Sequence, residues 1–269
     1  MIHPTALVHP KAQIDASVSV GPYAVIEEHV TLGSECWIGP HVHITGHTVV
    51  GSKNRFHTGC VIGDAPQDLK YQGEPTRLII GNNNAFREHV TVHRSNKLSE
   101  ETRIGSDNFL MANSHVGHNS HIGNHVILAN GALLGGHVQV DDRVFISANC
   151  LIHQFVRIGT LALMQGGAAI SKDLPPYSLA RGINSICGLN SIGLRRAGLT
   201  SAERIELKSL YHNLFRSGRK LRESLDLARE TFSSPAAKVM IEFIEASSRG
   251  VCADSSRFRA RAAEAIDEE

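Results

Sequence analysis

Histidine is the residue type best suited to chemistry in this chain, and several histidines cluster in one stretch. His115, His118, His137 and His153 belong to that stretch, among 16 histidines in 269 residues. An imidazole titrates near neutral pH, so it can accept a proton from a hydroxyl group. Gly136 has no side chain, so its backbone N–H can approach a developing oxyanion. A histidine base and a backbone oxyanion donor are the parts that an acyl transfer needs.

A six-residue repeat must position these residues. From Ile2 to Ile170 every sixth residue is a large apolar one, with Asp68 and Glu74 as the exceptions. A period of six matches neither an α-helix nor a simple strand, but it is typical of the hexapeptide parallel β-helix. Three units then close a triangular coil of about 18 residues, and successive coils stack about 4.8 Å apart.

The coil period places residues that are distant in sequence in one column. His118, Gly136 and Gln154 are spaced by 18 residues, so each should lie about 4.8 Å above the last. His137 and His153 are neighbours of that column and should line the same strip of surface. An isolated histidine elsewhere in the repeat is more simply a surface or interface residue.

Two polar segments interrupt the repeat without losing its phase, near residues 64–78 and 93–103. Ile62 and Ile80, which flank the first, are 18 residues apart, the length of one coil. Loops on a repetitive scaffold often carry function, and we expect the same of these.

The repeat stops before Pro175 and Pro176, and a helical period follows from about Asn190. Thr200 and Glu203 form a capping box that predicts a helix start, and two further helices are predicted before Gly250. The fold class is therefore mainly β, with a parallel β-helix over residues 1–188 and a small α-helical domain over 189–269. We expect the charged tail from residue 252 onwards to be frayed.

Composition excludes several classes of protein. A net charge of +1 gives no electrostatic reason to bind nucleic acid, and no apolar run approaches the roughly 20 residues that span a bilayer. Five scattered cysteines without a CxxC pair favour reduced thiols in the cytoplasm over disulfides or structural zinc. The repeat begins at Ile2, so we expect no targeting segment. Three flat outer faces favour a homotrimer.

The chain resembles the UDP-N-acetylglucosamine O-acyltransferase family, which performs the first acylation of lipid A biosynthesis. The resemblance extends over nearly the whole chain and depends on these segments: Gln67-Asp68-Leu69-Lys70-Tyr71, Gly73-Glu74-Pro75-Thr76-Arg77, Val92-His93-Arg94, His115-Val116-Gly117-His118, Ile127-Leu128-Ala129-Asn130, Gly136-His137-Val138, Val140-Asp141-Asp142, Ile152-His153-Gln154-Phe155 and Asp173-Leu174-Pro175-Pro176-Tyr177.

This resemblance implies a left-handed coil and a reaction. A 3-hydroxyacyl chain would pass from acyl carrier protein to the 3-hydroxyl of UDP-N-acetylglucosamine, with no cofactor and no metal. We expect direct attack without a covalent enzyme intermediate, because the sequence has no Gly-x-Ser-x-Gly or paired Cys–His motif. His118 corresponds to the general base and Gly136 to the backbone donor to the oxyanion. Gln67 and Asp68 correspond to groups that hold sugar hydroxyls.

The resemblance assigns further positions less specifically. Lys70 and His115 correspond to residues near the reacting groups. His137, His153 and Gln154 correspond to residues that contact the nucleotide sugar or the acyl donor.

Three more positions lie towards the C-terminus. Asn190 and Arg196 correspond to groups near the UDP phosphates and the phosphopantetheine of the carrier. Gly166 corresponds to the position that limits acyl-pocket depth, and a glycine there leaves room for a long chain. The family's site lies between neighbouring subunits, which makes the trimer obligatory for activity.

Two residues depart from the family pattern. Asn119 stands beside the base where many members carry Asp, so it keeps an acceptor oxygen but not a charge. Ala197 replaces one basic residue of a cluster that retains Arg195 and Arg196, which weakens the electrostatic attraction to an acidic carrier protein.

Three alternatives stay open at this stage. A related enzyme N-acylates the O-acylated sugar, but that family usually carries an N-terminal uridine-binding domain. A hexapeptide carbonic anhydrase would need a metal held by histidines; His57 and His93, counted as two coils or about 9.6 Å apart, are too distant to share one within a chain. A purely structural solenoid would not need the polar segment Gln67 to Arg77.

Overall fold

The structure, a computed structural model, describes residues 1–254. Short strands, parallel except where β26 pairs with β27, form three flat sheets, which enclose one apolar core as a left-handed β-helix. Face 1 contains β1 (Leu7–Val8), β4 (Val25–Ile26), β7 (His43–Ile44), β10 (Val61–Asp64), β13 (Thr91–His93), β16 (His115–Val116), β19 (Leu133–Leu134), β22 (Leu151–Ile152) and β25 (Ala169–Ile170).

The other two faces complete the triangle. Face 2 contains β2 (Gln13–Ile14), β5 (Thr31–Leu32), β8 (His47–Val50), β11 (Arg77–Ile80), β14 (Glu101–Ile104), β17 (His121–Ile122), β20 (Gln139–Val140) and β23 (Arg157–Ile158). Face 3 contains β3 (Ser19–Val20), β6 (Trp37–Ile38), β9 (Arg55–Phe56), β12 (Ala85–Phe86), β15 (Phe109–Leu110), β18 (Ile127–Leu128), β21 (Phe145–Ile146), β24 (Leu163–Met164), β26 (Ser178–Ala180), β27 (Ser185–Leu189) and β28 (Ala253–Asp254).

Each two-residue strand sends its first side chain outward and its second into the core. In β16, for example, Val116 is fully buried while His115 is partly exposed. The residues that turn the corners have positive φ, as Asn119 (58°) and His137 (59°) show. Asn and His tolerate this backbone region better than β-branched residues do, which explains why they recur at corners. The predicted hexapeptide β-helix is therefore confirmed.

Both predicted loops leave the coil at the corner between faces 1 and 2. The first connects β10 to β11 and the second connects β13 to β14. Ile62 and Ile80 lie on adjacent faces, so the interpretation of their separation as one full coil is wrong. Strand register shows coils of 30 and 24 residues here, because Ile62 pairs with Val92 and Val92 pairs with Val116.

Within residues 1–254, four helices follow the coil. They are α1 (Ser191–Arg196), α2 (Ser201–Arg216), α3 (Leu221–Thr231) and α4 (Pro235–Glu245). The predicted capping box opens α2, with Thr200 and Glu203 each bonded to the other's backbone. No helix within residues 1–254 is both long and apolar enough to cross a membrane.

The end of the described chain returns to the β-helix. β28 pairs with β27, and the buried Asp254 carboxylate accepts hydrogen bonds from the Tyr211 hydroxyl at 2.5 Å and from Arg216 Nε at 2.9 Å. The prediction of a frayed tail is therefore wrong for residues 252–254, and residues 255–269 lie outside the described range. The predicted boundary after residue 188 falls within β27.

Candidate active site

A cavity of about 660 Å³ lies on the outer surface of face 1, beside the corner where both loops leave the coil. Successive coils supply its floor, and the first loop supplies Gln67. The cavity is lined by Gln67, His93, His115, Gly117, His118, Leu133, Leu134, Gly135, Gly136, Leu151, Ile152, His153, Gln154, Ala169, Ile170, Ser171, Ile183 and Asn184.

The predicted column is present at this corner. His137 N donates to the His118 carbonyl at 2.8 Å, and Phe155 N donates to the Gly136 carbonyl at 3.0 Å. No inserted residues separate these coils, so the 18-residue spacing holds here. His118, Gly136 and Gln154 therefore line one cavity wall, with His153 beside them.

One nitrogen of the His118 imidazole is hydrogen-bonded, and the other is directed at Gly136. Its Nδ1 lies 2.8 Å from Asn119 Oδ1, which also accepts a hydrogen bond from Asn96 N at 3.0 Å. An amide oxygen can only accept, so Nδ1 carries the proton and Nε2 keeps its lone pair. A Cβ at position 136 would lie 2.7 Å from Nε2, so only glycine avoids a clash with the imidazole in this position.

The Gly136 N–H is free to bind a developing negative charge. Among the hydrogen bonds of residues 1–254, none uses this N–H as a donor. A base with an open lone pair and an adjacent free backbone donor can deprotonate a hydroxyl and stabilise a tetrahedral oxyanion.

Two further histidines lie on the cavity floor in neutral form. Burial lowers the pKa of His115 to about 4, and its Nδ1 is 2.7 Å from Thr91 Oγ1. Burial also lowers the pKa of His93, whose ring lies 4.9 Å from that of His115. His93 is buried, and its Nδ1 has no hydrogen-bond partner within residues 1–254.

Sequence reasoning treated His93 only as part of a motif and as a metal candidate. The position of His93 beside the cavity follows only from the actual length of this coil. Six extra residues in the second loop set the local period at 24, so position 93 lies one coil below position 117.

His137 does not line the main cavity. Its ring packs edge-on against His118 at 5.3 Å and stacks on Phe155 at 4.6 Å, around the corner from the cavity. There it lines a separate depression with Glu100 and Asn119. Burial and the nearby His118 lower the pKa of His137.

The first loop brings polar groups to the cavity edge. Gln67 lines the cavity directly. Asp68 accepts a hydrogen bond from Lys70 N at 3.0 Å and from Asn96 Nδ2 at 2.7 Å, which lower the pKa of its carboxyl group. The exposed Lys70 side chain follows Asp68 along the same loop.

Above the histidines the outward column of face 1 becomes apolar. Leu133 and Leu151 are 42% and 51% exposed, Ala169 continues the column, and Ile183 beyond it is 76% exposed. Exposed aliphatic side chains in one strip provide a surface for a hydrocarbon chain.

Three more predicted site residues, Asn190, Arg196 and Gly166, lie outside the cavity, as His137 does. Asn190 caps α1, accepting from Gly193 N at 3.0 Å and donating to the Leu161 carbonyl at 2.9 Å. Arg196 is exposed in the last turn of α1. Gly166 is exposed in the turn between β24 and β25, where an added Cβ would meet only the Ala148 carbonyl, at 3.5 Å.

The described residues contain no group of three or more His, Cys, Asp or Glu side chains placed to hold a metal. The predicted separation of two coils between His57 and His93 is wrong, because the first loop adds residues between them. They are one coil and one face apart, His57 after a strand of face 3 and His93 in a strand of face 1.

Comparisons with known proteins give one consistent family. Residues 101–136 match the model of the bacterial transferase hexapeptide, and residues 173–252 match domain 2 of UDP-N-acetylglucosamine O-acyltransferase. Acyl-[acyl-carrier-protein]–UDP-N-acetylglucosamine O-acyltransferases of Herminiimonas arsenicoxydans and Janthinobacterium sp. (strain Marseille) are 44% and 45% identical, over 93% of this chain and 98% of theirs.

Comparison with solved structures gives the same family. The UDP-N-acetylglucosamine acyltransferase of Francisella novicida superimposes with a TM-score of 0.91 at 34% identity, covering 95% of each chain. Another UDP-N-acetylglucosamine acyltransferase structure superimposes with a TM-score of 0.90 at 40% identity, covering 95% of this chain and 99% of its own.

Proposed function

The chain belongs to the UDP-N-acetylglucosamine O-acyltransferase family, and we propose that His118 is the general base of its reaction. The enzyme transfers an acyl chain from acyl carrier protein to UDP-N-acetylglucosamine, the first step of lipid A biosynthesis. The observation that carries the proposal is the His118 ring, with Nδ1 bound to Asn119 and Nε2 directed at Gly136.

The reaction needs one base and one oxyanion donor. His118 Nε2 removes the proton from the sugar 3-hydroxyl as its oxygen attacks the thioester carbonyl carbon. The Gly136 N–H donates to the resulting oxyanion. As the carbon–sulfur bond breaks, the imidazolium returns the proton to the departing phosphopantetheine thiolate, leaving the sugar ester and free carrier thiol. Neither a metal nor a cofactor has a part in these steps.

The acyl chain extends along the apolar strip. Leu133, Leu151 and Ile183 provide exposed aliphatic surface that begins next to the reacting groups. We propose that this strip holds a 3-hydroxyacyl chain. Gly166 leaves open space at the turn before β25, and we assign it to the end of the acyl site.

The nucleotide sugar binds on the polar side of the cavity. Gln67 and Asp68 hold sugar hydroxyls, and Lys70 and His115 lie close to the reacting groups. His137, at the corner, together with His153 and Gln154, contacts the nucleotide sugar or the acyl donor.

The site is completed in a homotrimer. Asn190 and Arg196 lie outside the cavity of their own chain, while the cavity is open on the outer surface of face 1. A neighbouring subunit placed against this face would bring its Asn190 and Arg196 towards the UDP phosphates and the carrier's phosphopantetheine. We also place the enzyme in the cytoplasm, where its five free thiols stay reduced.

A product assay tests the reaction. Purified protein is given a mixed pool of acyl carrier proteins with UDP-N-acetylglucosamine, or with the O-acylated sugar that carries a free amine. We expect an O3 ester from the first acceptor, one molecule of free carrier thiol per ester, and no N-acylation of the second acceptor. Amide formation on the second acceptor alone would instead identify the N-acyltransferase of the same pathway.

A further inference from the structure

The Asn119 side chain is held from both ends. Its Nδ2 donates to a Glu100 oxygen at 2.7 Å and to Ser95 Oγ at 2.8 Å, and its Oδ1 faces His118 and Asn96 N. A carboxylate can only accept, so Glu100 requires the NH₂ end of the amide on its side. The opposite amide orientation would place NH₂ against His118 Nδ1.

We propose that Glu100 is a positioning residue for the general base, acting on His118 through the amide of Asn119. It holds Asn119 in the orientation that keeps the proton on Nδ1 and the lone pair on Nε2. Its negative charge also polarises the amide and favours the imidazolium that forms during the reaction. This inference rests on the proposed role of His118 and adds a second loop residue to it.

The carboxylate is kept ionised for this task. Lys97 Nζ lies 2.8 Å from the other Glu100 oxygen, and this hydrogen bond, followed by that from Asn119, lowers the pKa of Glu100. The side chain is 40% exposed, so its charge is partly screened, and the contribution is modest in size. Removing the charge should therefore weaken the base, not abolish it.

Other charged and titratable groups face the same imidazole and must be considered with Glu100. Asp68 lies on the first loop, and His93 and His115 lie on the cavity floor. His137 packs on the His118 ring and lies 3.7 Å from Glu100. All four remain unchanged in the variants below, so differences between those variants report on Glu100 and Asn119.

The test combines Glu100→Gln with Asn119→Asp. The glutamine keeps an acceptor oxygen but removes the charge, whereas the aspartate places a carboxylate directly on Nδ1. We expect Glu100→Gln to lower kcat about tenfold with KM within about twofold, and to shift the acid limb of kcat/KM to lower pH. In the Asn119→Asp background the same change should not lower kcat, because the aspartate holds Nδ1 directly and the glutamine removes the repulsion between its carboxylate and that of Glu100.

The adjacent Glu101 offers a matched control, since its side chain pairs with Arg103 on face 2. Glu101→Gln should leave kcat and the pH profile unchanged. Wild-type kinetics in Glu100→Gln, or the same loss in both backgrounds, would overturn the role of Glu100. His118→Ala separates the two proposals: if it stays active the base itself is wrong, and if only Glu100→Gln is silent the base stands without this support.

Discussion

At the residue scale, the site depends on one close approach. The imidazole of His118 occupies the space that any side chain at position 136 would need. Sequence spacing was sufficient to predict this pair, because no insertion separates their coils. The hydrogen bonds around Asn119 could not be predicted, because they come from residues 95–100, a loop without periodicity.

Gly136→Ala tests this approach. The variant keeps the backbone N–H but places a Cβ 2.7 Å from the original Nε2 position, so the ring must move. We expect kcat to fall about 100-fold, as displacements near 1 Å at a reacting group commonly cause. Thermal unfolding and the KM for the nucleotide sugar check that the fold and substrate binding persist. An unchanged kcat would show that the ring position is not critical.

At the scale of structural elements, the outward side chains of face 1 change from polar to apolar along the axis of the β-helix. The outward column passes from Thr91 and His115 to Leu133, Leu151 and Ala169. The six-residue phase predicted the coil, but counting every coil as 18 residues failed wherever a loop was inserted. That error concealed His93 and misplaced it relative to His57.

The apolar strip yields a prediction about the acyl donor. Leu151→Asp places a charge on an exposed position of the strip without disturbing the core. We expect the KM for long-chain acyl carrier proteins to rise about tenfold, with a smaller effect on short chains. Leu7→Asp, at the same register position at the far end of face 1, is the matched control. Equal losses with short and long chains would argue against this strip as the acyl site.

The partly buried His115 predicts a pH dependence of stability. Its folded pKa of about 4 lies below the ordinary value of 6.5, so the unfolded chain binds the proton more readily between these values. The contribution of His115 is present above pH 6.5 and is lost as pH falls towards 4. Melting temperatures from pH 7 to 4.5 should decline less in His115→Gln than in the wild type. Parallel curves would contradict a depressed pKa at this position.

At the scale of the whole molecule, one chain provides only part of the proposed site. The cavity holds His118, whereas Arg196 lies on α1, outside it. Repetition and flat faces predicted a trimer, but the pairing of faces depends on surface complementarity between subunits, which periodicity does not encode. The pairing of β28 with the β-helix could not be predicted either, because a strand of two residues has no recognisable sequence pattern.

Mixed assemblies test the shared site. Native mass should be three times the 29.2 kDa of one chain. Trimers assembled from equal amounts of His118→Ala and Arg196→Ala chains should regain about one quarter of wild-type activity at low substrate, because that share of interfaces contains both native residues. If each site belonged to one chain, the mixture would retain only half of the activity of Arg196→Ala.

The most direct test of the central claim is the steady-state kcat of His118→Ala with acylated acyl carrier protein and UDP-N-acetylglucosamine as substrates. His125→Ala serves as control, since this exposed corner histidine lies away from the cavity. We predict a fall in kcat of about 1,000-fold for His118→Ala, with nucleotide-sugar binding retained, and wild-type turnover for His125→Ala. Near-normal turnover by His118→Ala would contradict general-base catalysis at this site.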